Sequence, residues 1–270
     1  MTTHVYSLAE EIGSRLTELD NIVGKAESVF GKDDVLYDIL CRAGCVLAVS
    51  ALEGFLKELN TAVQSDLNEN IATFSGMPKN MQREFSRKIV YFNDVPEAEI
   101  QKRTSQLIKF FHANSVNIEM GSFSYKENEN KNPSANMVDS LFSKYGINSV
   151  LHCLSGSKFE VVFDNDSATD LVLRREITRM RATLYRFPYR ELPSEFKMED
   201  WTPVKGQSVP TSIWHTFLEN LLIRRHGIVH ADTRSNPISW YALKEDSKKL
   251  EILFHGVLFA LSSFISKDVA

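Results

Sequence analysis

Apolar residues recur at Val5, Leu8, Ile12, Leu16, Leu19, Val23, Ala26 and Phe30, in alternating steps of three and four, as one face of an α-helix demands. The spacing predicts one long helix over residues 1–30. "GKDD" then interrupts the pattern and offers acidic residues to a new N-terminus, after which residues 35–63 are apolar on most of their circumference. That is the pattern of a central helix surrounded by others. Residues 78–150 are more polar, with Pro78 and Pro96 as punctuation and helical patches such as "EIQKRTSQLIKFF" between. Residues 124–136, "SYKENENKNPSAN", combine Asn, Pro and charge without periodicity and read as a mobile loop. "MVDSLFSKYGI" reads as a short helix closed by Gly146. "KFEVVF", from Lys158, fits a strand without a partner, a buried extended piece or a helix end.

"DNDSATDLVLRREITRMRATLY" and "VPTSIWHTFLENLLIRRHGIVH" each open on residues that cap helices, Pro210, Thr211 and Ser212 in the second case. "ADTRSNPISWY" separates the latter from a last helix over roughly residues 245–267. The expectation is an all-α bundle in a single domain over residues 1–270, with an N-terminal helix (1–30) and a mostly helical insertion or peripheral region (65–135).

Composition narrows this picture in two ways. A formal net charge of -4 excludes a protein coated in positive potential, so nucleic-acid binding requires a local concentration of Lys and Arg. Three cysteines, Cys41, Cys45 and Cys153, are too few for a disulfide framework, and no secretory leader is visible; a cytoplasmic location is expected. The apolar run "ILFHGVLFALSSFI" is shorter than a bilayer requires and carries a histidine, so no membrane span is expected.

The densest chemistry is "IRRHGIVHAD", residues 223–232. Arg225 and His230 form an R-x4-H pair, and Arg224 with the same histidine forms R-x5-H. About one such spacing arises by chance in a chain of this composition, so the context matters. In that context the stretch resembles the R-x4-6-H signature of the HEPN superfamily, helical domains that include many metal-independent endoribonucleases. "CVLAVSALEGFLKEL" is similar to the superfamily's earlier helix with an acidic residue amid apolar ones, here Glu53, and "NMVDSLFSKYGI" is similar to a short helix of the bacterial RiboL-PSP-HEPN subgroup. The three matches fall in the expected order. One departure stands out: the superfamily very often has Asn directly after the motif arginine, where this chain has His226.

Metal-free RNA cleavage needs a base for the ribose 2'-OH, an acid for the departing 5'-oxygen and a cation for the charged phosphorane. Histidine titrates near neutrality, and guanidinium stays charged and offers a fork of donors. On an ideal helix Arg225 and His230 differ by about 140° in direction. The resemblance implies a homodimer in which two motif helices meet across a twofold axis and share one cleft. It assigns His230 as principal acid/base, Arg225 as phosphate and transition-state stabiliser, Arg224 and His226 as auxiliaries, and Glu53 as the carboxylate that pairs with a motif arginine.

Plainer readings stand beside each role. The arginines also complement a helix C-terminus, Glu53 has a structural reading, and Cys41 and Cys45 fit as small core residues. His226 and His230 have metal-pair spacing but no third ligand nearby, so no metal or cofactor is expected. "RREITRMRATLYRFPYR" interleaves arginines with Tyr185, Phe187 and Tyr189, making Arg174, Arg175, Arg179, Arg181 and Arg186 candidate RNA contacts; the rival is a solvated face with its aromatics turned inward. The leading expectation is an RNA-cleaving toxin or antiviral effector, restrained by an antitoxin or defence-system partner. The alternatives are a non-catalytic HEPN module and a helical scaffold.

Overall fold

The computed structural model describes residues 2–119, 133–199, 201–202, 210–230 and 238–269, without the side chains of 267–269. Among these the fold is all-α, and no strand forms. Two long helices make its axis: α3 (Asp34–Asn70) and α10 (Trp240–Val269). They approach closely because Gly44 has no Cβ; one built there would lie 2.2 Å from Leu243 Cδ2. Further along, Phe55 stacks on Phe254 with ring centroids 4.2 Å apart. Against this pair pack α1 (His4–Arg15), α2 (Thr17–Val29) and α9 (Ile213–Val229), while α6 (Ala135–Ser143), α7 (Val150–Leu154) and α8 (Ser167–Met180) close the remaining sides.

The expected single N-terminal helix is two. At Leu16 the backbone N–H bonds back to Gly13 O, three residues away, and Ser14 and Thr17 place hydroxyls on the carbonyls of Glu11 and Gly13. Side-chain competition for carbonyls and a tightened turn interrupt the i−4 ladder. The apolar stripe survives the break, since Val5 through Ala26 are buried, but Phe30 is exposed. Asp66, fully buried on α3, fixes the start of α1 by accepting from the backbone N–H groups of His4 and Val5 and from the Tyr189 hydroxyl.

"KFEVVF" is no strand. It forms a 3-10 helix, Lys158–Asp164, whose buried residues Phe159 and Val162 are three apart, the spacing that aligns side chains in that helix. Pro78 and Pro96 precede α4 (Lys79–Val90) and α5 (Glu97–Ala113), as expected. This helical pair leaves and returns through backbone bonds from Phe74 to Val116 and from Ile118 to Ala72, above an aromatic group of Phe74, Phe85 and Phe111. The last helix starts at Trp240 rather than near residue 245, because the Ser239 hydroxyl accepts the Ala242 N–H. Most of the 124–136 segment lies outside the described residues.

α3 is less enclosed than its apolar sequence predicts. Both α3 and α10 are long and apolar enough to cross a bilayer by length and composition; 78% of the apolar window of α10 is buried, against 33% for α3. α10 therefore has the burial of a core helix. The N-terminal half of α3 keeps an outer stripe at Val35, Ile39, Ala43 and Val46 that the other described helices leave partly uncovered.

Candidate active site at the end of α9

Ser212 starts α9 by accepting the His215 N–H, and the helix ends with His230 as its C-cap. Leu218 and Leu221 are buried, and Arg225 continues their stripe, half-buried, past the end of the core. Glu219, Ile223, His226 and His230 follow one another at helical spacing on the exposed side. The rings of His226 and His230 lie 4.2 Å apart, tilted by 43°. Arg225 and His230 thus occupy different faces, as their spacing predicts, and His226 is the residue that shares a face with His230.

Arg224 points the other way. Its guanidinium pairs with Asp246 of α10 and lies against the Cys45 thiol of α3. Burial raises the Asp246 carboxyl above the usual range, against the opposing pull of Arg224 and Lys249. Burial likewise pushes the Cys45 thiol up to about 11, so it stays neutral. The expected carboxylate partner, Glu53, is elsewhere: it accepts from Lys57 of its own helix at 2.8 Å. Eight residues separate it from Cys45, about 12 Å along α3. Asp246, which sequence reasoning missed, takes the place intended for it. Residues 231–237, including the last two of "IRRHGIVHAD", lie outside the described residues.

The RiboL-PSP-HEPN family model matches residues 10–255. The chain belongs to the RiboL-PSP-HEPN family. Searches of curated proteins and of solved structures return no significant match. HEPN domains are often ribonucleases, and the motif end of α9 falls inside the matched span. The match also runs through α2, α4 and α5, outside the three stretches that carry the resemblance in the sequence.

In this HEPN chain the arginine strip of α8 does not converge with the motif. Arg174 pairs with Glu251 and Arg181 donates to the His255 ring, both on α10. His255 and Asp246 are nine residues apart, about 180° around the helix, so α8 and the motif arginine grip opposite sides of α10. Tyr189 is buried, and burial followed by the Asp66 charge holds its hydroxyl well above the usual range. Arg175, Arg179 and Arg186 are exposed. A separate groove of about 540 Å³ collects Arg186, Arg181 and Arg190 with Tyr6 and Tyr185, the two rings meeting edge to face at 5.2 Å.

The helix end has a definite chemical character. The C-terminal end of a helix carries roughly half a negative charge, which repels phosphate. Arg224 is matched by Asp246, and Arg225, His226 and His230 stand at the same helix end. Exposed side chains at a helix end suit a large substrate better than an enclosed small-molecule pocket would.

Proposed function

We propose that this HEPN chain is an endoribonuclease of the toxin or antiviral-effector type that cuts RNA as a homodimer. The 2'-OH attacks the adjacent phosphorus, giving 2',3'-cyclic phosphate and 5'-OH ends. The observation that carries this reading is the pairing of His226 with His230 at the exposed end of α9, in the same last turns of the helix as Arg225. His230 moves protons, Arg225 stabilises the charged phosphorane, and Arg224, tied to Asp246, positions the helix end rather than touching RNA. The chemistry asks protein groups for acid, base and charge, with no step assigned to a metal.

Symmetry supports the dimer. In-line attack puts the entering and leaving oxygens on opposite sides of phosphorus, whereas two neighbouring rings on one face of a helix approach from one side. A second copy across a twofold axis supplies the opposite side. Exposed apolar residues lie around the motif end: Phe30, Val35, Ile39, Ile223, Val229 and Tyr241. Their helix ends are joined by the Phe30–Tyr37 ring contact, the Trp240 N–H to the Tyr37 hydroxyl, and Arg224 against Cys45. Such a patch is a surface for association.

The test is cleavage of mixed cellular RNA with mapping of both new ends. His230→Ala is expected to lose about 10²–10⁴-fold in rate and Arg225→Ala about 10²–10³-fold, with the cyclic-phosphate ends disappearing. Undiminished cutting by both variants sinks the assignment. The placement of His226 against His230, where the superfamily very often has Asn, favours a second reading: a non-catalytic module that binds RNA, nucleotide or an antitoxin. It predicts no cleavage by the parent and binding that survives His230→Ala.

A further inference from the structure

A second group of histidines lies at the opposite end of the motif helix. His215 on the first turn of α9, His152 on α7 and Asp139 on α6 each offer one side-chain ligand atom, and these atoms all lie within 4.8 Å of one another. Asp139 Oδ2 is 3.0 Å from His215 Nε2. Ser149 Oγ stands beside them, 2.6 Å from Asp139 Oδ2 and 2.7 Å from His152 Nδ1. His215 is ten residues before Arg225, about 15 Å along the helix, so this group is separate from the motif.

The outward-facing atoms of the same three side chains are all anchored. His152 Nε2 donates to Pro210 O at 2.7 Å, which leaves a lone pair on Nδ1 in the neutral ring. His215 Nδ1 is 2.6 Å from Ser212 Oγ, which holds the ring while Nε2–H donates to Asp139 Oδ2; a cation bound there takes the place of that proton. Asp139 Oδ1 accepts the Leu151 N–H at 3.1 Å, leaving Oδ2 turned inward. Three potential ligand atoms therefore face one another, held by the His215 and Ser149 protons that a cation would replace or turn away. Anchoring the far atom of each ligand by a carbonyl, a hydroxyl or a backbone N–H is how metal sites orient their ligands.

We propose that Asp139, His152 and His215 bind one zinc-type divalent cation, with Ser149 Oγ or a water completing four ligands. Two imidazoles and a carboxylate suit Zn2+, whereas Mg2+ and Ca2+ take oxygen ligands. Zinc ligands at bonds of about 2.0–2.2 Å stand roughly 3.3–3.5 Å apart in a tetrahedron, a few tenths of an ångström from the observed carboxylate–imidazole spacing. Trp201 stacks on the His152 ring at 4.1 Å and shields it, while the side chains of His215 and Asp139 are 12% and 15% exposed, which leaves a route for entry. The ion ties the start of α9 to α6 and α7. Its role is to hold the motif helix, and the inference does not depend on RNA cleavage.

The test uses full-length protein stripped with a chelator, dialysed and titrated with ZnCl2, with bound metal counted by mass spectrometry and CoCl2 as a spectroscopic probe. Expected are one equivalent per chain, d–d bands of a four-coordinate nitrogen–oxygen site, and a rise in Tm on binding. His215→Ala and Asp139→Asn lose the equivalent, Ser212→Ala weakens affinity about 10–100-fold, and the His226→Ala/His230→Ala double variant keeps it. Failure of the parent protein to take up zinc or cobalt overturns the proposal and leaves a hydrogen-bonded lock. Loss of the equivalent in the His226/His230 variant overturns it too, by moving the site to the motif.

Discussion

At the scale of single residues, the two motif arginines separate by what each touches. Arg224 is committed to a carboxylate that the fold has buried, so Arg224→Ala leaves Asp246 charged and poorly matched; a loss of about 3–5 kcal/mol in unfolding free energy is expected. Asp246→Asn in the same chain removes the stranded charge and recovers part of that loss, which a double-mutant cycle in urea measures. No recovery would mean that the pair contributes little. Another buried group sets a pH limit. His255 is held down to about 3, first by burial and further by the charges of Arg181 and Arg174, against the opposing bond to Glu251 O. Arg181 donates to its Nε2 and its Nδ1–H donates to Glu251 O, so the neutral ring is fully used. Between pH about 3 and 6.5 the unfolded chain takes up a proton that the folded chain refuses, so stability falls as pH falls through that window. From pH 6.5 to 4.5 this amounts to about 2 kcal/mol. His255→Gln, which keeps an acceptor for Arg181, is expected to flatten that part of the curve.

Among the elements, α1 shows how one buried side chain docks a helix. Asp66→Ala strips acceptors from two N–H groups and from the Tyr189 hydroxyl, and a loss on the order of 3 kcal/mol is expected by denaturant unfolding. Retention of full stability would show that α1 is held by its apolar stripe alone. That stripe was plain in the sequence, as were the starts of α4, α5 and α9, because Pro78, Pro96 and Ser212 act on the backbone next to them. The break at Leu16 was not, since the period of the stripe continues across it. "KFEVVF" was ambiguous because six residues with apolar positions satisfy a period of two or three equally well, and only burial of Phe159 and Val162 decides. The motif was legible because it lies within one helix turn and a half. Its partner Asp246 was not: that pairing joins α9 to α10 across residues that carry no shared pattern. Asp139, His152 and His215 come from three segments, and the local trace they leave is the repeated S-x-x-H of "SVLH" and "SIWH", where a serine caps the helix and meets the histidine ring.

On the scale of the whole molecule, the outer stripe of α3 is the feature that a single copy leaves unresolved. Val35 is 72% and Ile39 56% exposed, on a helix whose sequence is as apolar as a core helix. Around a twofold axis each side chain in the seam counts twice, so one substitution acts at two places. Ile39→Glu would put a carboxylate into the proposed apolar contact in both copies; at roughly 1–3 kcal/mol for each poorly solvated polar group, dimerisation is expected to weaken about 100-fold or more. The folded chain itself should hardly notice, because the position is exposed within one copy and helical charge is well tolerated there. Sedimentation should then find a monomer with unchanged helix content and Tm. Cleavage per chain should fall steeply, and in the parent protein it should fall on dilution through the same dissociation. A variant that is monomeric by sedimentation yet cuts at the parent rate would remove the shared cleft from the mechanism, because one α9 end would then be carrying out the whole reaction.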